Sequence, residues 1–226
     1  MCKVTIDGIA VQAPEGSTIL DAAKLAGVDI PTLCFMKEIN EIGSCRVCVV
    51  EVEGEDALAA ACNTPVFDGM AVRTNTPRVI AARRANVETI LATHRSECTT
   101  CKRSGTCALQ AVANGCNAAD LERDPDYEFE AWDETFPLQR DATKCIRCLR
   151  CVAECAKVQQ CAVWEVSGPA AHRGVRVAGG ADIASANCAL CGQCVTHCPT
   201  GALAARDDTS KVLAALADPQ VITVVQ

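Results

Sequence analysis

Aromatic residues are scarce, with two Trp, one Tyr and four Phe in 226 residues. So few large rings cannot furnish one extended core, and two or three small domains are the expectation at this length. Long apolar runs are missing too. None approaches the roughly 18 residues of a membrane-spanning helix. The start, Met1-Cys2-Lys3-Val4-Thr5-Ile6-Asp7, lacks the apolar stretch of a secretory leader. Basic charge is in deficit, 21 Lys and Arg against 28 Asp and Glu for a net charge of -7, which argues against a nucleic-acid partner. The sequence has no phosphate-cradling glycine loop, no G-x-G-x-x-G and no paired nucleophile and base, so no metabolite chemistry and no flavin site are expected of this chain.

Cysteine is what the chain has in quantity, 18 residues. Without a secretory leader these thiols point to metal ligation in a soluble, reducing, cytoplasmic protein, not to a disulfide scaffold. Eight form two runs of C-x2-C-x2-C-x3-C: Cys145, Cys148, Cys151 and Cys155, then Cys188, Cys191, Cys194 and Cys198. In this bacterial two-cluster pattern three thiolates on one loop hold three corners of a 4Fe-4S cubane, and the fourth cysteine reaches the neighbouring cluster. Crossed sets follow, Cys145, Cys148, Cys151 with Cys198 and Cys188, Cys191, Cys194 with Cys155.

Upstream, Val4–Ile6 and Ile9–Val11 flank Asp7-Gly8 and read as a hairpin. A helix capped by Ser17 or Thr18 follows, with Ile19, Leu20, Ala23 and Leu25 on its apolar side and Gly27 past its end. Cys34, Cys45, Cys48 and Cys62 then form a two-iron ferredoxin pattern, in which ten residues separate Cys34 from Cys45 where the plant-type spacing has four. Gly43 and Ser44 can bring backbone amides up to cluster sulfurs. A four-cysteine zinc knuckle is the alternative. Val47–Val52 and Met70–Arg73 read as strands, and Thr76-Pro77 opens a helix running to Thr93. His94, Cys98, Cys101 and Cys107 follow with spacing H-x3-C-x2-C-x5-C, which taken alone suits a structural zinc site of three thiolates and one imidazole.

Residues 120–134 carry eight acids against Arg123 alone and read as a solvated linker. Tyr127, Phe129, Trp132 and Phe136 beside them are expected to pack on this chain or on a partner. Two short strands, Ala162–Val166 and Val175–Ala178, sit between the cubane motifs. A capped helix over Asp208–Ala217 and a strand over Val221–Val225 close the chain. Cys2, Cys116 and Cys161 read as ordinary thiols, and His172 and His197 as surface or packing residues.

The hairpin, capped helix and later strand resemble the β-grasp fold of two-iron ferredoxins. The long first loop, the H-x3-C-x2-C-x5-C run with Cys101-Lys102-Arg103-Ser104-Gly105-Thr106-Cys107 and Leu109-Gln110, and the doubled cubane motif together resemble the N-terminal iron-sulfur half of the catalytic subunit of multimeric iron-only hydrogenases, NADH-linked and electron-bifurcating ones included. They are also similar to the N-terminal region of the large peripheral subunit of complex I. The resemblance implies an α+β chain with a β-grasp 2Fe-2S domain at 1–76, a helical 4Fe-4S domain with one histidine and three cysteine ligands at 77–119, a linker at 120–140, a two-cluster ferredoxin-like domain at 141–207 and a C-terminal helix and strand at 208–226. It implies one 2Fe-2S and three 4Fe-4S clusters, no catalysis by the chain alone, and electron relay between a flavoprotein NADH-oxidising subunit, a two-iron ferredoxin-like subunit or soluble ferredoxin, and a hydrogenase or formate dehydrogenase catalytic subunit. A fragment of an iron-only hydrogenase and a zinc-stapled assembly scaffold are the alternative readings.

Overall fold

Strands β1 (Cys2–Ile6) and β2 (Ile9–Ala13) pair antiparallel, Val4 opposite Val11 and Ile6 opposite Ile9. Asp7 and Gly8 between them both take positive φ, 49° and 87°, as a primed two-residue turn requires. Residues 1–119, 131–168 and 174–224 are described by this computed structural model, so the expectations for Tyr127, Phe129 and His172 lie outside the described residues.

Helix α1 (Ile19–Leu25) begins at Thr18, whose hydroxyl accepts from the Asp21 amide at 3.2 Å while the Asp21 carboxylate accepts from the Thr18 amide at 3.2 Å. This reciprocal cap satisfies amides that the first turn leaves unpaired. Ile19, Leu20, Ala22 and Ala23 are buried. Leu25 departs from the apolar-side expectation: it is 59% exposed, because the helix ends there and Gly27 (φ 71°) turns the chain away. With β3 (Val49–Val52), β4 (Ala59–Ala60) and β5 (Ala71–Arg73) the hairpin forms a sheet of order β2-β1-β5-β3-β4, in which β1 and β5 run parallel and the other neighbours antiparallel. Its core joins Val4, Ile6, Ile19, Leu20, Val50 and Val72 to Cys48 and Cys62, so two thiols of the first cysteine set belong to the hydrophobic interior.

Helix α2 (Pro77–Leu91) is capped by Thr76 and has proline at its first position, where a missing amide costs nothing. Its inner stripe, Val79, Arg83, Val87 and Leu91, faces β3. Val87 and Leu91 meet Leu33, Val47 and Leu109 of α3 (Ala108–Gly115) in a small second core. Beyond it, β6 (Leu138–Arg140) pairs with β9 (Leu203–Ala205) and β7 (Trp164–Ser167) with β8 (Gly174–Val177), both antiparallel. Helix α4 (Arg150–Ala153) widens into a π-helical turn over Glu154–Val158, and α5 (Gln193–His197) follows the second cubane motif.

The aromatic stretch is integrated into this last unit. Trp132 and Phe136 pack against its core. Trp132 stacks on buried Trp164 with ring centroids 6.0 Å apart and planes at 11°, and its indole donates to the Leu138 carbonyl at 2.9 Å. The Arg140 guanidinium lies 5.7 and 5.9 Å from the two indoles, so a cation satisfies the faces of both rings. Two expectations at the C-terminus need correction. Helix α6 (Thr209–Ala217) is present, but Asp208 gives it no cap hydrogen bond, since its carboxylate is taken by Arg206 and Lys211. Val221–Val224 form no strand, having no neighbouring edge to pair with among the described residues.

Truncating Trp132 tests the integration of this stretch. Trp132→Ala should cost about 2 kcal/mol, less than for a fully buried tryptophan, read as weaker hydrogen-exchange protection in β6 and β7 with the N-terminal sheet unaffected. Equal protection in both units would return the residue to a surface linker.

Candidate metal centres

Cys34 lies on the loop after α1, Cys45 and Cys48 on a tight turn entering β3 with Arg46 left-handed (φ 53°), and Cys62 just past β4. They meet as two touching pairs, Cys34 with Cys45 and Cys48 with Cys62. The Cys34 thiol is pulled down to about 5, first by the Cys45 thiol and further by the Cys45 and Ser44 amides and the Ser44 hydroxyl, against burial. Cys48 is likewise drawn down to about 7 by Cys62, whose own thiol is pushed well above its usual range. Ser44 therefore points at a ligand-type sulfur, as its position before Cys45 suggests. Gly43 (φ 62°) leaves no room for a side chain, since a Cβ there would stand 2.6 Å from the Asn63 side-chain nitrogen.

Arg83 lies beneath this set. It is 9% exposed, donates from Nη2 to the Val49 carbonyl at 3.0 Å, and among the described residues has no partner at Nε and no ion pair. Burial pulls its pKa down, while the Cys116 and Cys48 sulfurs, as thiolates, would oppose that shift. Sequence reasoning passed over Arg83, although it occupies an inward position four residues from Val79 and from Val87.

His94 follows α2. Its Nδ1 is 3.2 Å from the Lys144 carbonyl, and because a carbonyl only accepts, that contact calls for a proton on Nδ1. This is how ligating imidazoles are oriented by their surroundings. Cys107 starts α3, and Cys98 and Cys101 lie on the turn before it. The loop is fastened to the end of the second cubane motif: the Ala108 amide donates to the Pro199 carbonyl at 3.0 Å, and Arg103 donates to the carbonyls of Val195 and Cys198 at 3.0 and 2.8 Å. Gly201 allows the approach, because a Cβ there would stand 2.6 Å from the Cys101 sulfur.

The two cubane motifs repeat one backbone device. Arg147 and Leu149 in the first, and Leu190 and Gly192 in the second, take left-handed φ of 56°, 62°, 54° and 71° at matching positions. Amides in such alternating turns converge on one side, suiting an anionic guest. Two cavities result. One is lined by Cys155, Cys188, Cys191 and Cys194, the other by Cys145, Cys148, Cys151 and Cys198, and Trp164 lines both. Burial pushes the Cys148 thiol up to about 12 and Cys151 well above its usual value, so these thiols are protonated in the metal-free protein. Cys194 rises to about 11 by burial, partly opposed by the Trp164 indole. Cys155 sits on the π-helical turn and accepts from the Val163 amide at 3.3 Å. Metal uptake must displace these protons and will therefore be favoured by higher pH.

Glu154 was missed by sequence reasoning. It is 3% exposed, with one oxygen 3.7 Å from His197 Nε2 and the other accepting from Gln159 at 3.1 Å, which gives His197 a packing role beside Cys198. Cys161 lines the Cys155 cavity as a fifth thiol and Cys116 packs near α3, whereas Cys2 lies in β1. Among the described residues no three His, Cys, Asp or Glu side chains converge closely enough for a single metal ion. All eighteen cysteines are outside disulfides.

Gly201→Ala is expected to displace the Cys101 thiol, at an overpacking cost of about 1–3 kcal/mol. Iron bound after anaerobic reconstitution should fall at the His94 loop, and full uptake would show that the contact yields without consequence.

Residues 1–77 match the family described as a 2Fe-2S iron-sulfur cluster binding domain, 83–120 the NADH-ubiquinone oxidoreductase-G iron-sulfur binding region, and 144–202 the 4Fe-4S dicluster domain. The chain is 43% identical over 236 aligned residues to the NADP-reducing hydrogenase subunit HndD of Solidesulfovibrio fructosivorans, covering 100% of this chain and 40% of that protein. It is 40% identical over 155 residues to the gamma subunit of the NAD-reducing hydrogenase HoxS of Cupriavidus necator, covering 66% and 64% respectively. The solved structure of an NAD+-reducing [NiFe]-hydrogenase in the H2-reduced state superposes with a TM-score of 0.80 at 29% identity, over 91% of this chain and 87% of that one. The chain thus spans two fifths of the length of HndD. Among the described residues no helix is long and apolar enough to cross a membrane. Three iron-sulfur domain matches in the same order, with these relatives, establish that the chain belongs to the family of iron-sulfur regions shared by the G subunit of NADH-quinone oxidoreductases and the subunits of NAD-reducing hydrogenases.

Proposed function

We propose that this chain relays electrons through one 2Fe-2S and three 4Fe-4S clusters within a nicotinamide-linked oxidoreductase complex. The first set is Cys34, Cys45, Cys48 and Cys62, in a sheet of β-grasp type. The others are His94 with Cys98, Cys101 and Cys107, then Cys145, Cys148, Cys151 with Cys198, and Cys188, Cys191, Cys194 with Cys155. The observation that carries this reading is the sorting of eight cysteines between two cavities in crossed sets. Such clusters, when bound, take up and return single electrons. The residues of the chain supply thiolates, the oriented His94 ring, amides aimed at sulfur and a largely apolar setting that tunes potentials.

The relatives are named as subunits of an NADP-reducing and an NAD-reducing hydrogenase. On that basis the partners are a flavoprotein that exchanges hydride with the nicotinamide and a separate catalytic subunit, a hydrogenase or a formate dehydrogenase, with a ferredoxin as a further donor or acceptor. The chain by itself then catalyses neither hydride transfer nor hydrogen chemistry, and the compartment is a reducing cytoplasm. Alignment of the whole chain with part of HndD favours a second reading, in which the same relay forms one region of a longer hydrogenase subunit.

Anaerobically reconstituted protein should be brown and carry about 14 irons by cluster stoichiometry. Cys198→Ala and Cys148→Ala should abolish the same paramagnetic signal, whereas Cys191→Ala should abolish a different one. Colourless, zinc-loaded protein would overturn the relay, and a shared signal for Cys198 and Cys191 would overturn the crossed sets. Arg83→Met removes the buried cation beside the two-iron set. It should lower that site's reduction potential in a redox titration while the apo-protein is destabilised little, since an unpaired buried charge contributes poorly to folding.

A further inference from the structure

Asn40 lies in the ten-residue stretch that separates Cys34 from Cys45, and it is 2% exposed. Its Nδ2 donates to the Cys34 carbonyl at 2.7 Å and to the Cys148 carbonyl at 2.9 Å. One amide group thus joins main-chain oxygens on residues of two different cysteine sets, the farther of them 108 positions along the chain from Asn40. The loop holds the side chain there by its own pairing, with the Met36 amide donating to the Asn40 carbonyl at 2.9 Å and the Asn40 amide to the Met36 carbonyl at 2.7 Å. Two cations from the opposite unit fasten the same loop, Arg150 to the Phe35 carbonyl at 2.8 Å and Lys157 to the Ile39 carbonyl at 2.7 Å.

Resting on the ligand sets above, we propose that Asn40 is a positioning residue that fixes the separation of the two-iron site from the Cys145–Cys148–Cys151–Cys198 site and provides the shortest bonded path between them. The path runs from the Cys34 sulfur through its carbonyl, across the two hydrogens of one nitrogen, to the Cys148 carbonyl and sulfur. A primary amide has two divergent donors on one small atom, which aspartate, serine and aliphatic side chains lack. Buried in a low dielectric, both bonds are strong and their loss leaves two carbonyls unpaired. With clusters bound, this path would carry single electrons between the two sites, one being oxidised as the other is reduced, with no bond made or broken.

The test uses the full chain with its clusters, after the wild type has been shown to contain both sites. Failure at that first step would sink the relay reading and not the role of Asn40 in particular. Asn40→Asp turns the donor into an acceptor facing two carbonyls, and Asn40→Ser keeps at most one donor. With iron content unchanged, electron equilibration between the two sites after flash photoreduction should slow in both variants, more in Asp, and their magnetic interaction should weaken. In the metal-free protein, hydrogen exchange of amides 145–151 should speed up about fivefold or more for each bond lost. Faster exchange with unchanged equilibration would reduce Asn40 to a structural clasp and overturn the proposal, as would wild-type behaviour in every measurement. If the Asp variant does not accumulate, the Ser variant decides by the same readouts.

Discussion

The arrangement depends on side-chain donors from one unit meeting main-chain carbonyls on the cysteine loops of another. The Lys144 carbonyl, one residue before Cys145, accepts from both His94 Nδ1 and the Thr200 hydroxyl, the latter at 2.8 Å. Arg103 reaches the Cys198 carbonyl and Arg150 the Phe35 carbonyl. Loops that wrap a metal guest leave many carbonyls outside any helix or sheet, and each buried one needs a donor. Fixed geometry between neighbouring units is thus a by-product of satisfying the loops themselves.

Local features were largely readable from the sequence because short-range chemistry determines them. The Asp7-Gly8 turn and the Thr18 and Thr76 caps follow from residues within a few positions of one another. Features dependent on distant partners were not readable. Asn40 looks like an ordinary loop residue until Cys148 is placed opposite it. Glu154 reads as a surface acid on a helix until α5 brings His197 to it. That Trp132 would pack was legible, but its partners were not: Trp164 stacks on it and Arg140 covers both rings. Asp208 is a local exception: Arg206 and Lys211, two and three residues away, take its carboxylate, and it makes no cap hydrogen bond.

Charge is distributed unevenly through the interior. Arg83 is buried near the first thiol set with no carboxylate paired to it among the described residues, whereas Glu154 is buried beside the last set with a histidine as its ionisable neighbour. A cation eases the addition of negative charge nearby and an anion opposes it, more strongly where water is excluded. Positive charge is not confined to the first set, since Arg140 and Arg150 act on the Cys145 and Cys148 thiols.

The contact between Cys101 and Gly201 bears on how such chains can be recombined. A dicluster unit transplanted from another ferredoxin would bring its own residue at position 201, and anything with a side chain there would press on a sulfur 2.6 Å from the new carbon. The His94 loop and the Pro199–Gly201 segment are thus matched surfaces, and a chimera with a crossover between them would need glycine at 201. The chain looks like a row of interchangeable cassettes, but its seams are as specific as its cores.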